Sequence, residues 1–226
     1  MASFSLPRLV VFDCDGTLVD SQASIISAMI TAFNSHSHPI PESESIRRIV
    51  GLPIRVGIEI LLPNMISSEY EKLENSYKEA FGTLRKNGDI DDPLYPGVSE
   101  VLNILKEENW LLGVATGKST RGLIMTLEKF GLTDRFLTLQ TSDTAPGKPN
   151  PGMLLNAMCD TGSTPQSTIM IGDTTFDMEM AVNAHVKAIG VSWGYHPVED
   201  LISAGAQVIA RDYSMIPELL NKIFDN

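Results

Sequence analysis

The sequence is poor in cysteine, in long apolar runs and in basic residues. Two cysteines among 226 residues exclude a disulfide-dense secreted scaffold. An apolar run of about 18 residues, the length that spans a bilayer, does not occur. The first residues lack a basic segment followed by a long apolar one, which predicts that there is no signal peptide. Together these absences predict a cytoplasmic protein whose thiols are free.

Basic charge is also scarce: 17 lysines and arginines stand against 28 acidic residues, for a net charge of −11. Such a chain repels nucleic-acid backbones and anionic lipids, so neither a nucleic acid nor a membrane is expected as a partner. A small anionic substrate stays open, because a bound metal and one lysine outweigh distant surface charge. The sequence leaves both a monomer and a homodimer open.

A short apolar run near the start of the chain ends in two carboxylates. Residues 9–12 are typical of a buried strand, and Asp13 and Asp15 follow it, directly before Gly16. Side chains alternate along a strand, so Asp13 and Asp15 point to one side and Cys14 points to the other, into the core. Paired buried carboxylates need a cation, a shared proton or a polar network. The alternative is a surface turn after the strand.

The spacing of apolar residues changes twice along the chain. Residues 20–91 have helical spacing throughout, whereas helices and apolar runs alternate from residue 92 onward. Further strands are predicted over 111–116, 136–139, 168–171, 187–191 and 207–210. This pattern predicts an α/β, doubly wound, Rossmann-like parallel-sheet core, formed by residues 1–19 and 92–226. An all-helical domain, residues 20–91, would be inserted into it.

Ligands bind beyond the carboxyl ends of the strands in such sheets, and three further groups of polar residues fall there. Thr116 and Gly117 can bind a phosphate through a hydroxyl and backbone N–H groups, or form only a turn. Lys148, between a glycine and a proline, can balance phosphate and carboxylate charge, or be a solvated loop lysine. Asp173 ends a strand and offers a ligand to a hard cation. Asp177 opens a helix, where it would support the metal site or cap the helix.

The four groups resemble motifs I to IV of the haloacid dehalogenase superfamily, in the same order along the chain. The helical block resembles the C1 cap of phosphoglycolate phosphatases and β-phosphoglucomutases. The resemblance covers essentially the whole chain. The segments that carry it are 13–21 (DCDGTLVDS), 95–98 (YPGV), 116–119 (TGKS), 147–149 (GKP), 172–177 (GDTTFD) and 193–195 (WGY).

The resemblance implies roles for the matching residues. Asp13 would be the nucleophile, and Asp15 would be the general acid and base. Thr116, Gly117 and Lys148 would bind phosphate. The metal ligands would be Asp13, Asp173 and the backbone carbonyl of Asp15, and Asp177 would support that site.

These roles predict a Mg²⁺-dependent phosphomonoester hydrolase that acts on a small phosphorylated metabolite through an aspartyl-phosphate. True dehalogenases lack the second aspartate, so Asp15 argues against that reaction. A sugar phosphomutase is the alternative, although Ile25 stands where β-phosphoglucomutases carry a histidine. A non-catalytic binding module of the same fold is a third reading. From the cap, Arg55 would contact a substrate or else be a solvated helix arginine. His36, His38 and His196 are predicted to lie at the surface.

Overall fold

The sheet is formed by apolar segments that are buried on both faces. The computed structural model describes residues 7–89 and 91–224. Six parallel strands form one sheet within this part of the chain, in the order β3-β2-β1-β4-β5-β6. They are β1 (Leu9–Phe12), β2 (Leu111–Ala115), β3 (Thr138–Gln140), β4 (Thr168–Gly172), β5 (Lys187–Val191) and β6 (Val208–Ala210). The strand order reverses between β1 and β4, and ligands bind at such a switch point.

Helices lie on both faces of this sheet and also form a separate group between β1 and β2. In chain order they are α1 (Gln22–Ser35), α2 (Ser43–Arg47), α3 (Ile54–Leu61), α4 (Ser67–Asn87), α5 (Val98–Glu107), α6 (Thr120–Lys129), α7 (Gly152–Thr161), α8 (Thr175–Asn183), α9 (Val198–Ala204) and α10 (Ile216–Phe224). The sequence-based predictions do not include α9, which has one buried side chain, Leu201.

Alternation along β1 divides the core into two layers. Val10 and Phe12 pack with side chains of α5, α6 and α10 on one face of the sheet. Leu9 and Val11 pack with side chains of α7, α8 and α9 on the other. Strands covered on both faces are continuously apolar, which explains the runs seen in the sequence. The predicted fold class is therefore confirmed, and so is the burial of Cys14.

Helices α1 to α4 have an apolar core of their own. Ala28, Phe33, Ile46, Ile58 and Leu73 are almost completely buried in it. None of the described residues from 20 to 89 belongs to a strand. The division into residues 1–19 with 92–226 and residues 20–91 stays a prediction, and residues 1–6, 90 and 225–226 lie outside the described residues.

The helical segment rests on two glycines of the sheet domain. A Cβ on Gly117 would lie 2.9 Å from the carbonyl oxygen of Gly51, and a Cβ on Gly147 would lie 2.1 Å from Cγ of Pro53. Nearby, Arg48 Nη1 lies 2.6 Å from Asp200 Oδ2. The segment from residue 51 to 53 is thereby held directly above the ends of the strands. We call it the covering segment.

No helix in the described residues combines the length and the apolar character that crossing a membrane requires.

Candidate active site

Asp13 follows β1 directly and is almost completely buried. Its Oδ1 atom accepts a hydrogen bond from the Cys14 N–H at 2.6 Å and lies 2.8 Å from Lys148 Nζ. Its Oδ2 atom is buried and has no partner among the described residues. Burial raises the pKa of Asp13 from 3.8 to about 7, against the lowering effect of Lys148. One oxygen of this carboxylate is therefore held in place while the other is left for a ligand.

Asp173 lies beyond β4, next to Asp13 at the switch point. The Thr17 hydroxyl donates to its Oδ1 at 2.7 Å, and the Tyr195 N–H donates to its Oδ2 at 2.9 Å. Burial and the nearby carboxylates of Asp13 and Asp177 raise its pKa well above the ordinary value. Gly16, at φ +80°, passes so close that a Cβ there would lie 2.2 Å from Asp173 Oδ2. The glycine after the two aspartates thus makes room for a carboxylate from a distant part of the chain.

Asp177 caps a helix, which is one of the two roles that the sequence left open, and it also faces the acidic cluster. Its Oδ2 atom accepts hydrogen bonds from the Thr174 N–H at 3.1 Å and the Thr174 hydroxyl at 2.7 Å, which caps α8. Its Oδ1 atom faces the site and lies 2.6 Å from Lys148 Nζ. Capping therefore fixes the orientation in which Asp177 meets the lysine.

Lys148 is a buried cation between two carboxylates and is not a solvated loop lysine. Its side chain has no exposed area, and it pairs with both Asp13 and Asp177. Burial by itself lowers the pKa of Lys148, but the two carboxylates outweigh that effect and raise the pKa overall. The lysine thus stays charged and neutralises part of the acidic cluster.

The acidic residues fit a metal ion. Asp13, Asp173 and Asp177 each offer one oxygen, and these oxygens lie within 4.8 Å of one another among buried side chains. Burial raises the pKa values of Asp13 and Asp173, and the negative charge of the neighbouring carboxylates raises them further. Buried carboxylate oxygens in this arrangement suit a hard divalent cation.

Asp15 belongs to a second polar group, on the side of the cavity. Its Oδ1 atom lies 2.6 Å from Lys118 Nζ and also accepts a hydrogen bond from the Ser21 hydroxyl. Ser21 Oγ lies 3.3 Å from the Tyr195 hydroxyl. Burial lowers the pKa of Lys118, whereas Asp15 raises it, and the net effect is a rise. Lys118 stands in the predicted motif beside Thr116 and Gly117, but no sequence pattern indicates its contact with Asp15.

Thr116 and Gly117 lie at the end of β2, on the wall of the same cavity. Thr116 is almost fully buried, and its Oγ1 atom accepts a hydrogen bond from the Lys118 N–H at 3.3 Å. Ser119 caps α6 by accepting from the Gly122 N–H. The hydroxyl of Thr116 and the carboxylates of Asp13 and Asp15 border one space of about 980 Å³.

Arg55 lies elsewhere. Its Nε atom is 2.6 Å from Glu59 Oε1, it donates to the Ser67 hydroxyl at 3.1 Å, and its guanidinium lies 4.8 Å from the ring centre of Tyr70. It does not border the cavity. The geometry favours the alternative, a helix arginine occupied by its own neighbours.

His196 corrects another expectation, because it is buried and not at the surface. Its Nδ1 atom accepts a hydrogen bond from the Thr175 N–H at 3.1 Å at the start of α8. Burial lowers its pKa. The sequence placed it at the surface because it stands beside Pro197 in a polar loop.

Buried carboxylates and a lysine at the carboxyl ends of parallel strands form a site suited to a divalent cation and a phosphoryl group. A sequence model of the haloacid dehalogenase-like hydrolases matches residues 10–191, and the chain belongs to this family. It is a phosphatase of the family, whose members generally use a divalent metal.

Similar proteins agree with this assignment. The chain is 37% identical to the probable phosphatase IndB of Dickeya dadantii, over 92% of this chain and 91% of that protein. It is 32% identical to a phosphoglycolate phosphatase of Agrobacterium fabrum, over 99% of this chain and 97% of that one. A hydrolase from Pseudomonas syringae has a similar structure, with a TM-score of 0.85, 25% identity and coverage of 96% and 99% of the two chains. The name of the second of these proteins specifies a small phosphorylated substrate, phosphoglycolate.

Proposed function

We propose that this phosphatase is a Mg²⁺-dependent phosphomonoester hydrolase that works through an aspartyl-phosphate on Asp13. The observation that carries the proposal is the asymmetry of Asp13. One of its oxygens is held by Lys148 and the Cys14 N–H, while the other is buried and unpartnered beside two further carboxylates. A fixed carboxylate with one free oxygen is suited to in-line attack.

In the first step Asp13 Oδ2 attacks phosphorus, the bond from phosphorus to the ester oxygen breaks, and Asp15 gives its proton to the departing alkoxide. In the second step Asp15 takes a proton from water as that water attacks phosphorus. The bond to Asp13 then breaks and inorganic phosphate leaves. Lys148, with Thr116 and the N–H of Gly117, would hold the phosphoryl oxygens.

Asp13, Asp173 and the Asp15 carbonyl would hold Mg²⁺, with Asp177 in support. The ion would supply positive charge that reduces repulsion between the carboxylate and the phosphate.

The hydrolase is favoured over the phosphomutase by what borders the cavity. Ile25 lies on its wall, and none of the described histidines does. A mutase would need a group there to move protons between two sugar hydroxyls.

The other parts of the proposal rest on the sequence. The core would comprise residues 1–19 and 92–226 and the cap residues 20–91. A cytoplasmic location is proposed because both cysteines are free. A monomer or a homodimer without nucleic-acid or membrane partners is also proposed.

The test is phosphate release from a panel of phosphate esters, with Mg²⁺ and with a chelator, for the wild type, Asp13→Asn and Asp20→Asn. Asp20 is the matched control because it is exposed and close in sequence. We expect Asp13→Asn to lose at least about a thousandfold in kcat, and Asp20→Asn to stay close to the wild type. Release that survives Asp13→Asn undiminished would refute the covalent mechanism.

A further inference from the structure

The cavity continues well past the carboxylates, between the helical segment and α6. We propose that it selects phosphate monoesters whose alcohol part is bulky, largely apolar and carries a second negative charge. The inference rests on the proposed hydrolase function and names the substrate class of that same site.

Size is the first argument. The cavity measures about 980 Å³ and reaches from Asp13 to α4 and α6. Cavities of about 300–1,000 Å³ are those that enclose drug-sized ligands. Glycolate would fill only a small part of this space, and most of the apolar wall would stay in contact with water.

The nature of the wall is the second argument. Met29 and Ile49 are buried side chains that border the cavity, and Phe81 of α4 and Met125 of α6 border it nearer the solvent. A substrate rich in hydroxyl groups would lose hydrogen bonds with water against these side chains and gain none in return. An aromatic or aliphatic body would bury its surface there, and the methionines adapt to its shape.

Charge is the third argument. Arg85, Lys86 and Arg121 border the cavity and have no carboxylate within ion-pair distance among the described residues. Arg85 instead donates to Met125 Sδ at 3.3 Å and lies 5.7 Å from the ring centre of Phe81.

The remaining lysines of the wall are neutralised, Lys78 by Glu74 and Lys118 by Asp15. Glu79 also borders the cavity and has no ion-pair partner among the described residues, but the three unpaired cations outnumber it. In a chain with net charge −11, this local excess of positive charge favours an anion.

One helix offers both a size probe and a charge probe. Gly82 lies on the same face of α4 as Phe81 and Arg85, and a Cβ there would meet nothing within 4 Å. Because Gly82 borders the cavity and its Cβ position is open, we expect Gly82→Leu to narrow the cavity, and leucine is the better helix former. Arg85→Gln removes charge at the opening. Lys72→Gln is its matched control, because Lys72 is exposed on α4 and does not border the cavity.

The experiment measures binding by calorimetry, with Mg²⁺, of three phosphonates that cannot be hydrolysed: phosphonoacetate, benzylphosphonate and para-carboxybenzylphosphonate. For the wild type we expect para-carboxybenzylphosphonate to bind at least about tenfold more tightly than phosphonoacetate. Gly82→Leu should weaken both aromatic ligands about tenfold and leave phosphonoacetate unchanged. Arg85→Gln should lower the affinity for para-carboxybenzylphosphonate by about threefold to tenfold and leave the affinity for benzylphosphonate unchanged. Lys72→Gln should change neither affinity.

Equal or tighter binding of phosphonoacetate would overturn the inference, as would an equal effect of Gly82→Leu on all three ligands. Because binding needs no turnover, the outcome is separate from the hydrolysis assay with Asp13→Asn. Selective binding together with unaffected turnover in Asp13→Asn would reject the covalent mechanism and leave the substrate class standing. Efficient, Asp13-dependent hydrolysis of phosphoglycolate with no gain from an aromatic body would do the reverse.

Discussion

The two ends of the cavity differ in how far their charged side chains are buried and held by partners. At the strand ends Asp13, Asp173 and Asp177 are buried, and each accepts hydrogen bonds that fix its orientation. At the outer end Arg85 and Arg121 are at least partly exposed and have no carboxylate partner among the described residues. The first end fixes the positions of reacting groups, at a cost in desolvation. The second leaves side chains free to meet a ligand. The proposed reaction and the proposed selectivity therefore lie in different parts of the molecule.

The largest expected effect is a difference in stability between variants of the two lysines Lys148 and Lys118. Lys148→Met leaves Asp13 and Asp177 without their shared cation in a fully buried place, and we expect a loss of about 3–5 kcal/mol in the free energy of unfolding. Lys118→Met removes a partner from one carboxylate that is 12% exposed, so we expect a loss of about 1 kcal/mol. Urea denaturation with chelator measures both variants. Equal losses would contradict the contrast between the fully buried lysine and the partly exposed one.

The metal and pH should act together at the buried end. The folded pKa values of Asp13 and Asp173 lie above the ordinary value of 3.8, so their protonated forms favour the folded state. Without metal, this contribution is fully present below about pH 4 and is lost as pH rises through about 7, the pKa of Asp13. Metal competes with protons for the same oxygens, so Mg²⁺ should bind more tightly above pH 7.

Thermal unfolding at pH 6 and pH 8, with Mg²⁺ and with chelator, measures this coupling. Mg²⁺ at about 100 times its Kd should stabilise the protein by about 2.7 kcal/mol. At a fixed, limiting Mg²⁺ concentration the gain should be larger at pH 8 than at pH 6. A larger gain at pH 6 would contradict the assignment of Asp13 and Asp173 to the ion.

A glycine-to-alanine change should lower the free energy of unfolding at the strand ends and raise it at the outer end of the cavity. Gly16→Ala puts a methyl group at φ +80° and 2.2 Å from Asp173 Oδ2, so we expect a loss of about 1–3 kcal/mol and weaker Mg²⁺ binding. Urea denaturation and metal titration measure these effects. Unchanged stability and metal affinity would show that this close approach is not needed.

Gly82→Ala should give the smallest effect, which is a small gain in stability. Its Cβ meets nothing within 4 Å in the interior of α4, so we expect stabilisation by about 0.5–1 kcal/mol from helix propensity. Thermal unfolding of this variant beside Gly16→Ala completes the comparison. A loss of stability in Gly82→Ala would mean that the outer wall is packed more tightly than the structure indicates.

Much of the buried end could be predicted because it depends on short sequence patterns at the ends of the strands. A carboxylate after a buried strand needs compensation, and parallel strands bring their carboxyl ends together, so Asp13 and Asp173 could be placed side by side. Lys148 could be named as a candidate, but its burial between two carboxylates depends on contacts from β1 and α8. The chemical roles of these residues stay predictions.

Contacts between side chains of different helices and loops could not be predicted from the sequence. Lys118 meets Asp15 because its long side chain extends toward the turn after β1, and no spacing rule indicates that contact. Arg55 lies on a cap helix in the expected region but bonds to Glu59 and Ser67. His196 follows a polar loop, yet the start of α8 buries it. In each case the deciding partner is a side chain or N–H group that only the assembled fold brings near.

The covering segment has a consequence for how the enzyme tolerates change. Its backbone at Gly51 lies against Gly117, and the ring of Pro53 lies against Gly147. A methyl group at either position would push the covering segment away from the strand ends. The reacting side chains would stay in place, but bulk water would enter from that side. We therefore expect these two glycines to limit the entry of water at the strand ends, although neither offers a reactive side chain.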